Sequence, residues 1–144
     1  MSTYRRILLK LSGEILASDV QNIDSQMLNK LVNIVKSALN LGVEVSMVIG
    51  GSNICRGANL ANAGMNRITG DHIGMLATVM NALAISDAFV RYNIPCQVMS
   101  GFPIGGGVCD PADHNKAKHA LTQGEVVIFS AGTGSPCFTT DTGA

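Results

Sequence analysis

Charged side chains are scarce in this sequence. Asp, Glu, Lys and Arg make up 14% of the 144 residues, whereas about 25% is typical of soluble domains. Ten acidic residues balance ten basic ones, so no net field exists to attract a nucleic acid or an anionic membrane. We therefore expect local recognition of a small ligand, no nucleic-acid or membrane partner, and subunit contacts over the weakly charged surface.

Paired cysteines and long uninterrupted apolar runs are missing as well. The four cysteines form no C-x-x-C pair, and the three histidines add no metal-ligand spacing, which argues against zinc and favours free thiols. The apolar stretch Ile73–Val90 contains Asn81 and Asp87, which favours a buried helix over a membrane span. We expect a soluble, cytoplasmic protein.

Two common nucleotide-binding motifs are absent. No G-x-x-x-x-G-K-[ST] occurs, and no G-x-G-x-x-G follows a predicted strand. These absences argue against a P-loop protein and against a dinucleotide-binding fold. Residues suited to phosphate instead follow several separate strands.

Strands and helices alternate along the chain. Apolar segments predict strands over 5–11, 43–49, 95–100 and 125–130, and helical spacing predicts helices from Asp24 to Gly42, from Asp71 to about Tyr92, and over 113–123. This order indicates a single α/β domain over 1–144 with a parallel sheet covered on both faces. In the long helix, Leu76, Met80, Leu83 and Ala84 share one stripe, and Met75 and Met80 are predicted to fill the core.

The segment after the last strand, Ser130 to Asp141, is the most informative part of the chain. It combines glycines, Ser and Thr hydroxyls and a terminal carboxylate. Glycines allow close backbone approach, hydroxyls both donate and accept hydrogen bonds, and a carboxylate can hold Mg²⁺. Ligands of parallel sheets bind beyond the C-terminal strand ends, so this loop predicts a phosphorylated ligand.

Two further strand ends carry cations. Lys10 lies within an apolar strand and needs a partner, either an anionic phosphate or Glu14. Gly50-Gly51-Ser52-Asn53 precedes Arg56; if a helix begins near Ser52, its N-terminus and Arg56 favour an anion. The alternative is a plain glycine turn with a solvated arginine.

Asp71 also has two interpretations. It either caps the long helix, which is the commoner use of aspartate there, or accepts hydrogen bonds from a ribose. The neighbouring His72 is predicted to be a structural or surface residue.

Several motifs together closely resemble the bacterial-type uridylate (UMP) kinases of the amino acid kinase superfamily. They are Lys10-Leu11-Ser12-Gly13-Glu14, Gly50-Gly51-Ser52-Asn53, Cys55-Arg56-Gly57, the block from Gly64 to Asn81, and Ser130 to Asp141. The resemblance runs from Tyr4 to the last residue. It implies a three-layer α/β/α sandwich with a mainly parallel sheet, and transfer of the ATP γ-phosphoryl group to UMP with Mg²⁺.

The resemblance also implies roles for individual residues. Lys10, Arg56 and Asp141 would be catalytic, and Asp141 would organise the metal or Lys10. ATP would contact Lys10, Leu11, Ser12, Gly13, Ser52 and Arg56. UMP would contact Gly51, Asp71, Thr133, Gly134, Ser135, Pro136, Cys137, Phe138, Thr139 and Thr140.

The chain departs from the family pattern in places. Ser52 stands where a third glycine is usual, and Cys55 and Cys137 replace larger residues. Members of the family continue well past residue 144 with a nucleotide-donor part, so we expect a C-terminally incomplete domain; the complete enzyme would be a hexamer. The alternatives are a non-catalytic UMP- or UTP-binding module and a carbamate or amino-acid kinase of the same superfamily.

Overall fold

The computed structural model describes residues 2–138 and 140–143. Within them, the elements are β1 Arg6–Leu11, α1 Ser25–Asn40, β2 Glu44–Ile49, α2 Gly57–Asn62, α3 Arg67–Arg91, β3 Cys96–Ser100, β4 Asp110–Pro111, α4 His114–Thr122 and β5 Val126–Ser130. Short 3-10 turns span Gly13–Leu16 and Thr140–Gly143. The five strands form one sheet in the order β1-β2-β5-β3-β4, and every neighbouring pair is parallel.

Helices cover both faces of the sheet. Alternate strand residues such as Val45, Met47 and Ile128 join the cluster formed with α1 and α3. Their neighbours on the opposite face, including Val127 and Met99, pack against α4. This alternation follows from the two-residue repeat of a strand, and it confirms the expected three-layer α/β/α arrangement with a parallel sheet.

Helix α1 begins and ends as its sequence predicts. The Asp24 Oδ1 atom accepts hydrogen bonds from the backbone N–H groups of Gln26 (2.7 Å) and Met27 (3.4 Å), which is the usual N-cap geometry. Gly42 follows the helix with φ +75°, a left-handed conformation that glycine adopts without a steric penalty.

Helix α3 corrects two predictions. It begins at Arg67, because the Asn66 side chain caps the N–H groups of Ile68 and Thr69; Asp71 therefore lies inside the helix and does not open it. The predicted stripe is also on the wrong face, since Leu76 and Met80 are about half exposed at 47% and 53%.

The buried face of α3 consists largely of smaller residues, among them Ala77, Ala82 and Ala88. Such side chains let the helix approach the sheet closely. Because apolar residues occur all round α3, their spacing in the sequence does not show which face is buried. By length and composition this helix could also cross a membrane, and half of its apolar window is buried within the chain.

Candidate functional site

The C-terminal ends of the parallel strands lie along one side of the sheet. We call the loops that follow them, residues 12–14, 50–56, 101–104 and 131–138, the strand-end edge. Backbone hydrogen bonds join a loop to the last residue of the neighbouring strand, from Gly50 N to the Leu11 carbonyl (2.9 Å) and from Gly101 N to the Ser130 carbonyl (3.0 Å). The fold thus gathers segments that are far apart in sequence.

An ion pair at this edge joins strand β1 to the final 3-10 turn. The Lys10 Nζ atom lies 3.4 Å from the Asp141 Oδ2 atom, and the two side chains are 65% and 49% exposed. Lys10 is therefore not a buried cation, and its protein partner is Asp141, not Glu14. A catalytic role for either residue stays a prediction.

Arg56 pairs with Glu14, the alternative partner that the sequence offers for Lys10. Its Nη2 atom lies 3.1 Å from the Glu14 Oε1 atom. No helix begins at Ser52, because Ile54 N and Cys55 N both donate to the Gly51 carbonyl in a turn. The predicted helix N-terminus is therefore wrong, and the six-residue α2 begins only after Arg56.

Packing explains the glycines of the first two loops. A Cβ atom on Gly13 would overlap the Asn53 side chain, and one on Gly51 would lie 2.8 Å from the Ala77 Cβ atom and 3.0 Å from the Gly74 carbonyl oxygen. Only glycine therefore lets these loops pack on each other and on α3. Their approach to a nucleotide stays a prediction.

Asp71 attaches the last loop to α3. Its Oδ2 atom accepts a hydrogen bond from the Cys137 backbone N–H (2.9 Å), and its Oδ1 atom accepts one from Arg67 Nε (3.0 Å). These contacts, the Cys137 N–H first and Arg67 after it, lower the pKa of the Asp71 carboxyl. The helix-cap interpretation is wrong, and ribose binding stays a prediction.

The loop after β5 is held in a tightly turned shape. Ala131 and Cys137 both have left-handed backbones, with φ +61° and +66°, and Gly134 N donates to the Ala131 carbonyl (2.9 Å). The side chains of Thr133, Ser135 and Phe138 are exposed, and Pro136 is partly buried. Thr139 lies outside the described residues, and Thr140 begins the final 3-10 turn.

Of the remaining predicted ATP-binding residues, Ser12 and Ser52 lie in loops of the strand-end edge, and the Leu11 side chain packs against the core. The Ser12 hydroxyl accepts from Glu14 N (3.4 Å) as the cap of the 3-10 turn. Ser52 N would be 3.0 Å from a Cβ on Gly13, so these two residues are neighbours. The Leu11 side chain instead packs beside α1 and lines a cavity of about 380 Å³ there, so only its backbone takes part in the strand-end edge.

A second cavity, of about 340 Å³, opens beside the predicted UMP loop. It is lined by His72, Leu76, Phe102 and Gly134. The sequence assigned His72 no functional role and did not single out Phe102, although Phe102 lies two residues after the predicted strand end at Ser100. Thr78 and Asn81 were missed as well; both are buried, and polar residues inside an apolar helix were the available signal.

Among the described residues, no three His, Cys, Asp or Glu side chains gather as a metal site. Asp141 offers a single exposed carboxylate at the strand-end edge. One carboxylate is a donor set that suits Mg²⁺ carried by substrate phosphates, because Mg²⁺ usually keeps one or two protein ligands and takes its others from phosphate and water.

Comparison with known proteins identifies the family of this chain. The sequence profile of the amino acid kinase family matches residues 5–144. The chain belongs to the amino acid kinase family. It is also similar to solved members: a UMP kinase from Bacillus anthracis at 39% identity and TM-score 0.88, covering 96% of this chain and 57% of that one, and a UMP kinase from Ureaplasma parvum at 35% and 0.86, covering 98% and 60%.

Two curated relatives are both named uridylate kinase. The uridylate kinase of Ruthia magnifica is 67% identical over 144 residues, which is all of this chain and 60% of the relative. The uridylate kinase of Psychromonas ingrahamii is 55% identical over 99% of this chain and 57% of its own length. The chain thus spans about three-fifths of the length of these relatives.

Proposed function

We propose that this chain is the part of a UMP kinase that carries the UMP-binding loop and the catalytic lysine. The complete reaction would transfer the γ-phosphoryl group of ATP to UMP, giving UDP and ADP, as a step of pyrimidine nucleotide synthesis. The observation that carries the proposal is the 67% identity to a uridylate kinase over all 144 residues. The strand-end edge supports it, because glycine-rich loops, hydroxyl groups and the cations Lys10 and Arg56 lie there, and these groups suit a phosphorylated ligand.

The chemistry asks for positioning and charge stabilisation more than for a covalent nucleophile. An oxygen of the UMP phosphate forms the new bond to the γ-phosphorus, and the bond from that phosphorus to the ADP oxygen breaks. Lys10 and Arg56 supply positive charge near the transferring group, and Ser12, Gly13 and Ser52 contribute backbone N–H and hydroxyl donors. Glu14 and Asp141 neutralise these two cations before a nucleotide binds.

The acceptor nucleotide is assigned to the β5 loop. Thr133, Ser135 and the backbone of residues 134–140 would surround UMP, and Asp71 and Gly51 would face its ribose and phosphate. The 340 Å³ cavity at His72 and Phe102 adjoins this loop and would take an apolar or aromatic group. Mg²⁺ bound with ATP would be held by Asp141, and it would reduce the negative charge of the phosphates.

Titration calorimetry with UMP, and then with Mg-ATP, tests this assignment on the chain itself. UMP binding together with UDP formation in a coupled assay would support a complete catalytic site. UMP binding without Mg-ATP binding would restrict the proposal to the acceptor part. If acetylglutamate or carbamate were bound in preference to UMP, the chain would instead act as another kind of kinase within the family.

Subunit association and location belong to the same proposal. We infer a homo-oligomer, a hexamer in the complete enzyme, acting in the cytoplasm. The low charge content and the exposed apolar side chains of α3, which include Ile68, Leu76 and Met80, support association. Sedimentation velocity measures it directly, and a monomer at all concentrations would contradict it.

A further inference from the structure

Helix α3 carries two fully enclosed polar side chains that the proposed chemistry does not use. Thr78 is 2% exposed and Asn81 is 0% exposed, and they lie three positions apart, on adjacent turns of the same side of the helix. A buried polar group is costly unless it is hydrogen-bonded. Each of them bonds to a different loop of the strand-end edge.

Asn81 holds the loop after β2. Its Nδ2 atom donates to the Gly50 carbonyl (2.7 Å) and to the Asn53 Oδ1 atom (2.8 Å), while its Oδ1 atom accepts from Asn53 Nδ2 (3.0 Å). Asn53 Nδ2 also donates to the Asn22 carbonyl (2.7 Å). The donors and acceptors of both amides are thus engaged. A Cβ on Gly13 would overlap Asn53, so the loop after β1 rests on this same pair.

Thr78 holds the loop after β5. Its Oγ1 atom donates to the Met75 carbonyl (2.6 Å) and accepts from the Ala131 backbone N–H (2.8 Å). Ala131 is completely buried and has φ +61°, a conformation that alanine rarely adopts. The surroundings must therefore maintain it, and the Thr78 hydroxyl is the side-chain group that bonds its N–H.

We propose that Asn81 and Thr78 are positioning residues that set the two nucleotide-binding loops separately on one rigid helix. Asn81 fixes the β2 loop with Ser52 and Arg56, and the β1 loop that packs on it. Thr78 fixes the β5 loop. Because both side chains project from adjacent turns of α3, the helix determines the separation between the β2 loop and the β5 loop. The assignment of ligands to the loops rests on the proposed function; the two attachments do not.

Amide hydrogen exchange on the 144-residue chain tests the attachments without any ligand. Asn81→Leu should speed exchange at Ile54 and Cys55, whose N–H groups bond within the β2 loop. Thr78→Val, which removes the hydroxyl at nearly constant volume, should speed exchange at Ala131 and Gly134. In each variant, the exchange rate should rise roughly tenfold or more in the loop that has lost its attachment. The exchange rate in the other loop should stay within about twofold, because the loops can open locally and independently.

The conservative variant Thr78→Ser serves as the matched control, because it keeps the hydroxyl and should restore slow exchange at Ala131. Equal acceleration in both loops by either variant would mean general loosening and would overturn the proposal. If Asn81→Leu does not fold, the unmodified chain still tests the attachment of the β2 loop. The side-chain amide protons of Asn53 and Asn81 should exchange much more slowly than those of exposed asparagines, and fast exchange would refute the attachment.

Nucleotide binding then tests the consequence for function. Thr78→Val should weaken UMP more than Mg-ATP, by about tenfold if the β5 loop keeps its binding position a tenth of the time. Asn81→Leu should weaken both nucleotides, because the β2 loop carries Gly51 for UMP as well as Ser52 and Arg56 for ATP. Equal losses of both affinities in Thr78→Val would mean general loosening and would overturn the separate attachment of the β5 loop. If the unmodified chain bound neither nucleotide, the proposed function would fail, while the exchange measurements would still judge the two attachments.

Discussion

Replacing Gly51 by alanine separates two explanations of the glycine-rich loop after β2. If the glycine serves only the approach of a nucleotide, the free chain should tolerate a methyl group there. The structure predicts otherwise, because that methyl would lie 2.8 Å from the Ala77 Cβ atom, 3.0 Å from the Gly74 carbonyl oxygen and 3.1 Å from Thr78 N. Two of these neighbours are backbone atoms of α3, which cannot move without moving the helix.

The expected loss of stability follows from two opposing terms. Overpacking of this kind costs about 1–3 kcal/mol. Alanine also lowers the conformational entropy of the unfolded chain, which stabilises the folded state by about 0.4–1 kcal/mol. The overlap with the helix backbone dominates, so Gly51→Ala should lower the free energy of unfolding by about 1–2 kcal/mol. With a urea m-value of about 2 kcal/mol/M, the midpoint should fall by about 0.5–1 M.

Equilibrium urea unfolding followed by circular dichroism measures this shift, and Gly105→Ala is the matched control. Gly105 has open space around it and no left-handed backbone, so alanine there should leave the midpoint unchanged or raise it slightly. Equal midpoints for the two variants, with a loss of nucleotide binding in Gly51→Ala alone, would refute the packing explanation and would restore the nucleotide as the reason for the glycine.

Three other predictions concern side chains of the site and the core. Lys10→Ala should lower turnover of the kinase by about 10²–10³ with little change in UMP affinity, and equal losses in both would make Lys10 a ground-state ligand only. The pKa of the Asp71 carboxyl is lowered in the folded chain, so its contact with Cys137 is intact above the ordinary pKa of 3.8 and is lost as the pH falls through the lower folded value. The NMR chemical shift of the Cys137 amide should therefore titrate with a midpoint below 3.8, and Asp71→Asn should abolish the transition. A midpoint above 3.8 would contradict this reasoning. Burial raises the pKa of the Cys96 thiol to about 12, so iodoacetamide at neutral pH should alkylate the exposed Cys137 long before Cys96, and similar rates seen by mass spectrometry would contradict that burial.

Local sequence signals determined most of the secondary structure. All four predicted strands exist to within one residue at each end, and Asp24 and Gly42 bound α1 as expected, because strand alternation, capping and left-handed glycines are properties of short segments. The motifs also indicated the family and the residues that meet at the strand-end edge. The alternation of strands with helices was sufficient for the α/β class.

Only the tertiary structure decided the partners and faces of these residues. Sequence spacing could not show that Asn66 begins α3, that Leu76 and Met80 face outward, or that Lys10 pairs with Asp141 and Arg56 with Glu14. Each outcome depends on contacts between segments far apart in the chain, which no local pattern records. The glycines make the same point. Their sequence predicts loops whose backbone approaches a phosphorylated ligand closely, while the packed fold shows Gly13 and Gly51 held against Asn53 and α3, where no larger side chain fits.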